Sequence, residues 1–147
     1  MNFNKLKVVG KVIVIVPFLL LSMFNVSANN RYTNAEGQGK WIYDQSAPAI
    51  EVFIKGSSVY AKIYAQSKSN ASVDLPAIQL KKVNSPLLNE YTEEFIKIQD
   101  FNQDKLMDIG ILKSVGYGGG ERCYSVFEYQ PNFYSFNSRA TKTICVK

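Results

Sequence analysis

The chain has 147 residues, of which 17 are basic and 12 acidic, with a formal charge of +5, two cysteines and no histidine. Without histidine there can be no Ser-His-Asp triad, Cys-His pair or His-bearing zinc site, and two cysteines cannot close a Cys-only zinc site. Carboxylate chemistry, cations held by oxygen ligands, or binding without catalysis remain, and no residue stands out as catalytic.

The N-terminus carries Lys5, Lys7 and Lys11 with no acid near them, then an almost wholly apolar run over 12–24 (VIVIVPFLLLSMF), then Val26-Ser27-Ala28. A basic start, a short apolar run and small residues three and one before a cut predict a secretory signal peptide over 1–28. The run is shorter than the roughly 20 residues a membrane span needs. An uncut N-terminal anchor is the alternative reading. Removing 1–28 leaves 14 basic and 12 acidic residues, a charge of +2. The basic excess therefore belongs mostly to the export segment, and nothing in the rest argues for nucleic acid. The expectation is one exported domain, periplasmic or extracellular, with no stable membrane anchor after cleavage.

Residues 29–39 (NNRYTNAEGQG) are polar and read as a flexible lead-in to a domain over 40–147. Ile50, Val52 and Ile54 then alternate with Glu51 and Lys55, Gly56-Ser57-Ser58 interrupts, and Val59, Ala61, Ile63 and Ala65 line one face of the next run. Period 2 on both sides of a short Gly-Ser turn predicts a β-hairpin. Residues 66–71 form a second polar turn. Strand-like runs follow at 77–83, 94–99, 106–113, 123–130, 132–137 and 141–146, while 87–98 has room for one helical turn. Pro131-Asn132 reads as a hairpin turn. The fold class is all-β: one domain of eight or nine short antiparallel strands, as a sandwich or a compact propeller-like assembly.

In an exported chain, Cys123 and Cys145 are expected to form a disulfide, with buried free thiols as the alternative. The bond would bring the strand around Cys123 beside the C-terminal one. The aromatics Phe127, Tyr129, Phe133, Tyr134 and Phe136 read first as cross-strand pairs and core. A sugar-stacking platform that includes Trp41 and Tyr43 is the sharper reading. Glu93 and Glu94 are adjacent at a strand entry, so they should point to opposite faces, which does not suit a glycosidase pair.

In the stretch from Asp100 to Asp108, oxygen-bearing side chains stand at loop positions 1, 3, 5 and 9: Asp100, Asn102, Asp104 and Asp108. That spacing suits calcium, with the backbone carbonyl of Leu106 at position 7. Lys105 stands at position 6, where glycine makes the turn most easily, and the EF-hand's position-12 glutamate is replaced by Ile111. The alternative is a turn held by Asp and Asn side chains with no metal.

Ile98 to Asp104, then Asp108-Ile109, a Gly-rich loop, and Cys123-Tyr124-Ser125-Val126-Phe127-Glu128-Tyr129 closing in a Pro-Asn turn resemble one family. It is the small bacterial periplasmic proteins related to i-type lysozyme inhibitors, some of which are immunity proteins against peptidoglycan hydrolases. The resemblance covers about residues 94–137. Lys105 departs from the family's glycine, and the Ser-Gly-x-x-Tyr element of some lysozyme inhibitors is not reproduced. The resemblance implies an exported protein without catalytic activity, whose partner is a peptidoglycan hydrolase or toxin.

Residues 114–122 (SVGYGGGER) lack the order and the Lys-Ser/Thr of a phosphate loop. Tyr and Arg are residue types that carry binding energy at interfaces. Tyr117, Gly118, Gly119, Gly120, Arg122 and Tyr124 are therefore the candidate partner-binding residues. By the resemblance, the loop would enter the hydrolase's sugar-binding cleft, with Arg122 facing its carboxylates. A wide hairpin connection is the plainer reading. Two other functions compete: a calcium-dependent envelope- or glycan-binding module, and a hydrolase using Asp100, Asp104 or Asp108. Three acids within nine residues look more like one ligand shell than like an acid and base on opposite sides of a bond.

Overall fold

The computed structural model describes residues 31–35, 38–43, 48–66 and 72–147. The expected signal peptide lies outside them, as does most of the 66–71 turn. Among the described residues no helix is long and apolar enough to cross a membrane.

The strands are β1 (Arg31–Ala35), β2 (Gln38–Tyr43), β3 (Ala49–Lys55), β4 (Ser58–Gln66), β5 (Ser72–Asp74) and β6 (Ile78–Lys82). After a short helix α1 (Ser85–Glu90) come β7 (Ile96–Gln99), β8 (Asp108–Val115), β9 (Arg122–Phe127), β10 (Tyr129–Gln130), β11 (Ser135–Phe136) and β12 (Lys142–Val146). The protein is all-β and antiparallel. One sheet runs β1-β2-β3-β4-β5 with β6 also on β4, a second runs β12-β9-β8-β7, and β10 and β11 form a separate pair. Among the described residues none of these sheets closes into a barrel.

The period-2 segments fold as their pattern dictates. The hairpin of β3 and β4 turns at Gly56-Ser57, pairing Lys55 with Ser58 and Ile50 with Ile63. Its inward residues Ile50, Val52, Val59, Ala61 and Ile63 are buried, while Phe53 stacks on Tyr60 across the two strands at 5.8 Å. In the second sheet, Ile96, Ile98, Ile109, Ile111 and Phe127 face the first sheet and join the same hydrophobic cluster. Two sheets over one core correspond to the sandwich alternative. Each fully buried aliphatic or aromatic side chain contributes about 1.5–3 kcal/mol, so this core, and not the connecting loops, dominates stability.

Four boundaries differ from expectation. The lead-in over 29–39 is not simply flexible: Arg31–Ala35 pairs with β2, and Tyr32 lies 5.1 Å from the Trp41 ring. Among the described residues twelve strands are present instead of eight or nine, because β1, β2 and β5 fall outside the expected runs and the run over 123–130 divides into β9 and β10. The run expected over 123–130 breaks at Glu128, so its last two residues are β10. The run expected over 132–137 opens instead with a 3-10 turn, Pro131–Phe133, since proline presets its first residue. Cys123 and Cys145 stand directly opposite each other in the register of β9 and β12 and form the disulfide.

Candidate functional site

β8 and β9 form a hairpin whose connection is the glycine loop. Val115 pairs with Arg122, the Gly116 N–H donates to the Glu121 carbonyl at 2.8 Å, and the Gly119 N–H donates to the Gly116 carbonyl at 3.0 Å. Gly118 and Gly119 have φ of +80° and +73°, conformations that side chains with a Cβ resist, so glycine here is a requirement of the turn. At the apex Tyr117 is fully exposed, with a relative accessibility of 110%.

Arg122 holds the loop from below. Its Nε donates to the Glu94 carboxylate, its Nη1 to the Gly119 carbonyl, and its Nη2 to the other Glu94 oxygen at 3.4 Å. The guanidinium carbon also lies 5.5 Å from the centre of the Tyr91 ring. The Glu94 contact pushes the Arg122 pKa above its ordinary value. Arg122 thus ties the loop to the turn before β7, and the expected pairing with a partner's carboxylates competes with these internal bonds.

Tyr124 is not a surface residue. It is 3% exposed, its hydroxyl donates to the Glu94 carbonyl at 3.2 Å, and its ring packs beside Phe101 at 6.3 Å. Burial raises its pKa, so the phenol stays protonated and keeps donating. Lys97 Nζ lies 5.9 Å from the ring centre. Beside the loop is a groove of about 410 Å³, bordered by Glu93, Glu94, Lys97, Gly120, Arg122 and Lys147, with Tyr124 contributing to its wall. Glu93 and Glu94 sit in the turn ahead of β7 and border this same groove, contrary to the opposite-face expectation, which assumed an extended strand there.

The loop over 100–107 is closed by its own side chains. Asp100 accepts from the Asp104 N–H at 3.1 Å and the Lys105 N–H at 2.8 Å, Asn102 accepts from the Asp104 N–H at 3.1 Å, and Asp104 accepts from the Leu106 N–H at 2.8 Å. Lys105 makes the sharp turn itself, at φ +71°. Asp108 departs from the cluster. It is wholly buried and bridges two backbone donors, Phe101 N–H at 3.2 Å and Tyr129 N–H at 3.0 Å. Burial is the main influence on its carboxyl, raising its pKa against those two donors. The structure thus brings Asp100, Asn102 and Asp104 together, and Asp108 does not complete a four-oxygen shell with them. Among the described residues, the one trio of metal-capable side chains with ligand atoms within 4.8 Å is Glu121, Cys123 and Cys145, whose two sulfurs are bonded to each other.

Sequence reasoning did not find the roles of Glu94 and Tyr91. The adjacent acids hid Glu94's part, since only the tertiary fold brings it to Arg122, 28 residues on. Comparison with known protein families, curated proteins and solved structures returned no match.

Proposed function

We propose that the protein is a periplasmic inhibitor or immunity factor that binds a peptidoglycan hydrolase of the muramidase type and blocks its cleft with the loop carrying Tyr117. The observation that carries this reading is the presentation of Tyr117. A fully exposed tyrosine stands on a short loop whose neck is held by backbone bonds and by Arg122, so little ordering entropy is lost when it docks. The family resemblance over 94–137 and the expected export segment point the same way.

The test is stoichiometric inhibition of peptidoglycan cleavage across a panel of muramidases, an amidase and a lytic transglycosylase. A central interface tyrosine contributes about 2 kcal/mol or more, so Tyr117→Ala is expected to weaken inhibition roughly thirtyfold or more. Its melting temperature should stay put, because the side chain has no packing to lose. Equal inhibition by the variant, or no inhibition of any hydrolase tried, would sink the proposal.

Calcium belongs to the proposal as a weak ligand of the 100–107 loop, through Asp100, Asn102 and Asp104 side chains and the Leu106 carbonyl. At the affinity of extracellular calcium sites, with Kd of about 10⁻⁴–10⁻³ M, 5 mM calcium stabilises by roughly 1–2 kcal/mol. A rise of several degrees in melting temperature over a chelator control is expected. An unchanged melting curve would leave the loop as a self-closed turn.

A further inference from the structure

A second groove lies at the other end of β9. Arg122 begins that strand and borders the first groove, whereas Glu128 follows its end and borders the second. At about 3.3 Å per residue these two positions are roughly 20 Å apart. The second groove has a volume of about 310 Å³ and runs between the 100–107 loop and the turn over 131–133. Its polar lining includes Asn102, Asp104, Glu128, Asn132 and Asn137, and Phe133 forms part of its rim.

Most of the other aromatics of this region are buried. Phe127, Tyr129, Phe136, Trp41 and Tyr43 are core residues, although Tyr129 also lines the groove, so of the broad aromatic platform expected from the sequence only Phe133 and Tyr134 present much surface, Tyr134 being 56% exposed. Phe133 is 75% exposed. The 3-10 turn holds it there: Pro131 opens the turn, and Tyr134 closes it in the left-handed conformation at φ +46°, which a tyrosine adopts only when its surroundings impose it. The chain thus keeps a large apolar ring in water at the lip of a polar cleft, with strained backbone behind it.

The cleft chemistry narrows the ligand. Side-chain amides offer both donors and acceptors, which matches neighbouring hydroxyls that also do both. An aromatic face at the rim suits the apolar C–H face of a sugar ring. Asp104 and Glu128 make the cleft negative and disfavour acidic ligands, although Glu128 is paired with Lys142 at 2.9 Å. Asn137 is already oriented, because its carbonyl oxygen accepts from Gln130 Nε2, leaving its own amide N–H groups for a ligand. The volume is at the lower end for ligand sites and has room for one or two sugar rings.

We infer that this groove is a saccharide-binding site for a neutral or N-acetylated hexose unit, with Phe133 stacking on the ring and Asn132 and Asn137 reading its hydroxyl or acetamido groups. It is separate from the Tyr117 loop, so one molecule can hold a hydrolase at one end of β9 and a glycan strand at the other. That arrangement would keep an inhibitor concentrated where cell-wall cleavage takes place.

The test is titration of the full protein with N-acetylglucosamine trimer, cellotriose and a trimer of galacturonic acid, followed by calorimetry and by amide chemical shifts. With chelator present, so that the 100–107 loop carries no calcium, at least one of the two neutral probes should bind with shifts clustered at 128–137 and at Asn102 and Asp104, and the acidic trimer should not. Phe133→Ala should weaken binding about tenfold, as loss of an aromatic contact implies, with its melting curve unchanged because the ring is exposed. Tyr117→Ala should bind sugar as the parent does, so failure of hydrolase inhibition and failure of this site are read separately. The inference is overturned if neither neutral trimer binds, if Phe133→Ala binds equally well, or if shifts fall outside the groove.

Discussion

At the residue scale, Asp108 shows most clearly how one side chain can hold two parts of the fold. Its two carboxylate oxygens accept from the backbone on opposite sides, Phe101 in the acidic loop and Tyr129 at the start of β10. Burial nonetheless dominates and raises its pKa. The folded chain therefore keeps this proton at pH values where the unfolded chain has lost it. The contribution of Asp108 to stability falls as pH rises from the ordinary carboxylate range through the raised folded value. Asp108→Asn keeps one acceptor and turns an amide donor toward the other N–H. The expected loss is about 1–3 kcal/mol, the cost of an unsatisfied buried donor. Urea denaturation of both proteins between pH 3 and 7 checks this, with the wild-type advantage largest at the acid end. An advantage that grew toward neutral pH would show that the two donors outweigh burial.

At the scale of elements, the acidic loop is held to the second sheet by a close approach. A Cβ on Gly110 would lie 2.7 Å from the Phe101 ring, so glycine in mid-strand is what lets that ring lie against β8. Gly110→Ala must push Phe101 and its loop outward. The expected cost is about 1–3 kcal/mol, with faster amide exchange over 100–107 and little change in the β3–β4 hairpin. Uniform destabilisation with no local change in exchange would argue against this anchor. Elements with strong period 2, such as β3 and β4, were legible in the sequence because their buried and exposed residues alternate. β1 was not, since its sequence is polar and its order comes from pairing with β2 and from Tyr32 on Trp41. The Tyr117 apex could be read from glycine spacing. The roles of Arg122 and Tyr124 could not, because both depend on Glu94 arriving from another part of the chain. The Pro131-Asn132 turn signal was visible, but Phe133 and Tyr134 read as cross-strand pairs and core, whereas the 3-10 turn leaves both exposed.

At the scale of the whole molecule, the disulfide sits at the end of the second sheet that borders the first groove. Cys123 and Cys145 are register partners one residue from Arg122 and Val146, both of which border that groove. The other end of β12 has its own ties, the Thr141 N–H to the Val126 carbonyl at 2.8 Å and Lys142 to Glu128. Losing the bond should therefore act unevenly. A bond between residues 22 apart in sequence contributes about 3 kcal/mol by restricting the unfolded chain, or roughly 10 °C or more in melting temperature for a domain of this size. In the Cys123→Ala/Cys145→Ala protein, β12 should fray from its C-terminal end, so exchange quickens at Ile144 to Val146 while Lys142 to Thr143 stays protected. Hydrolase inhibition should weaken more than saccharide binding, because the second groove lies at the end that keeps its ties. Equal weakening of both, with exchange rising evenly along β12, would mean that the strand responds as one unit and that the two ends of β9 are not independent.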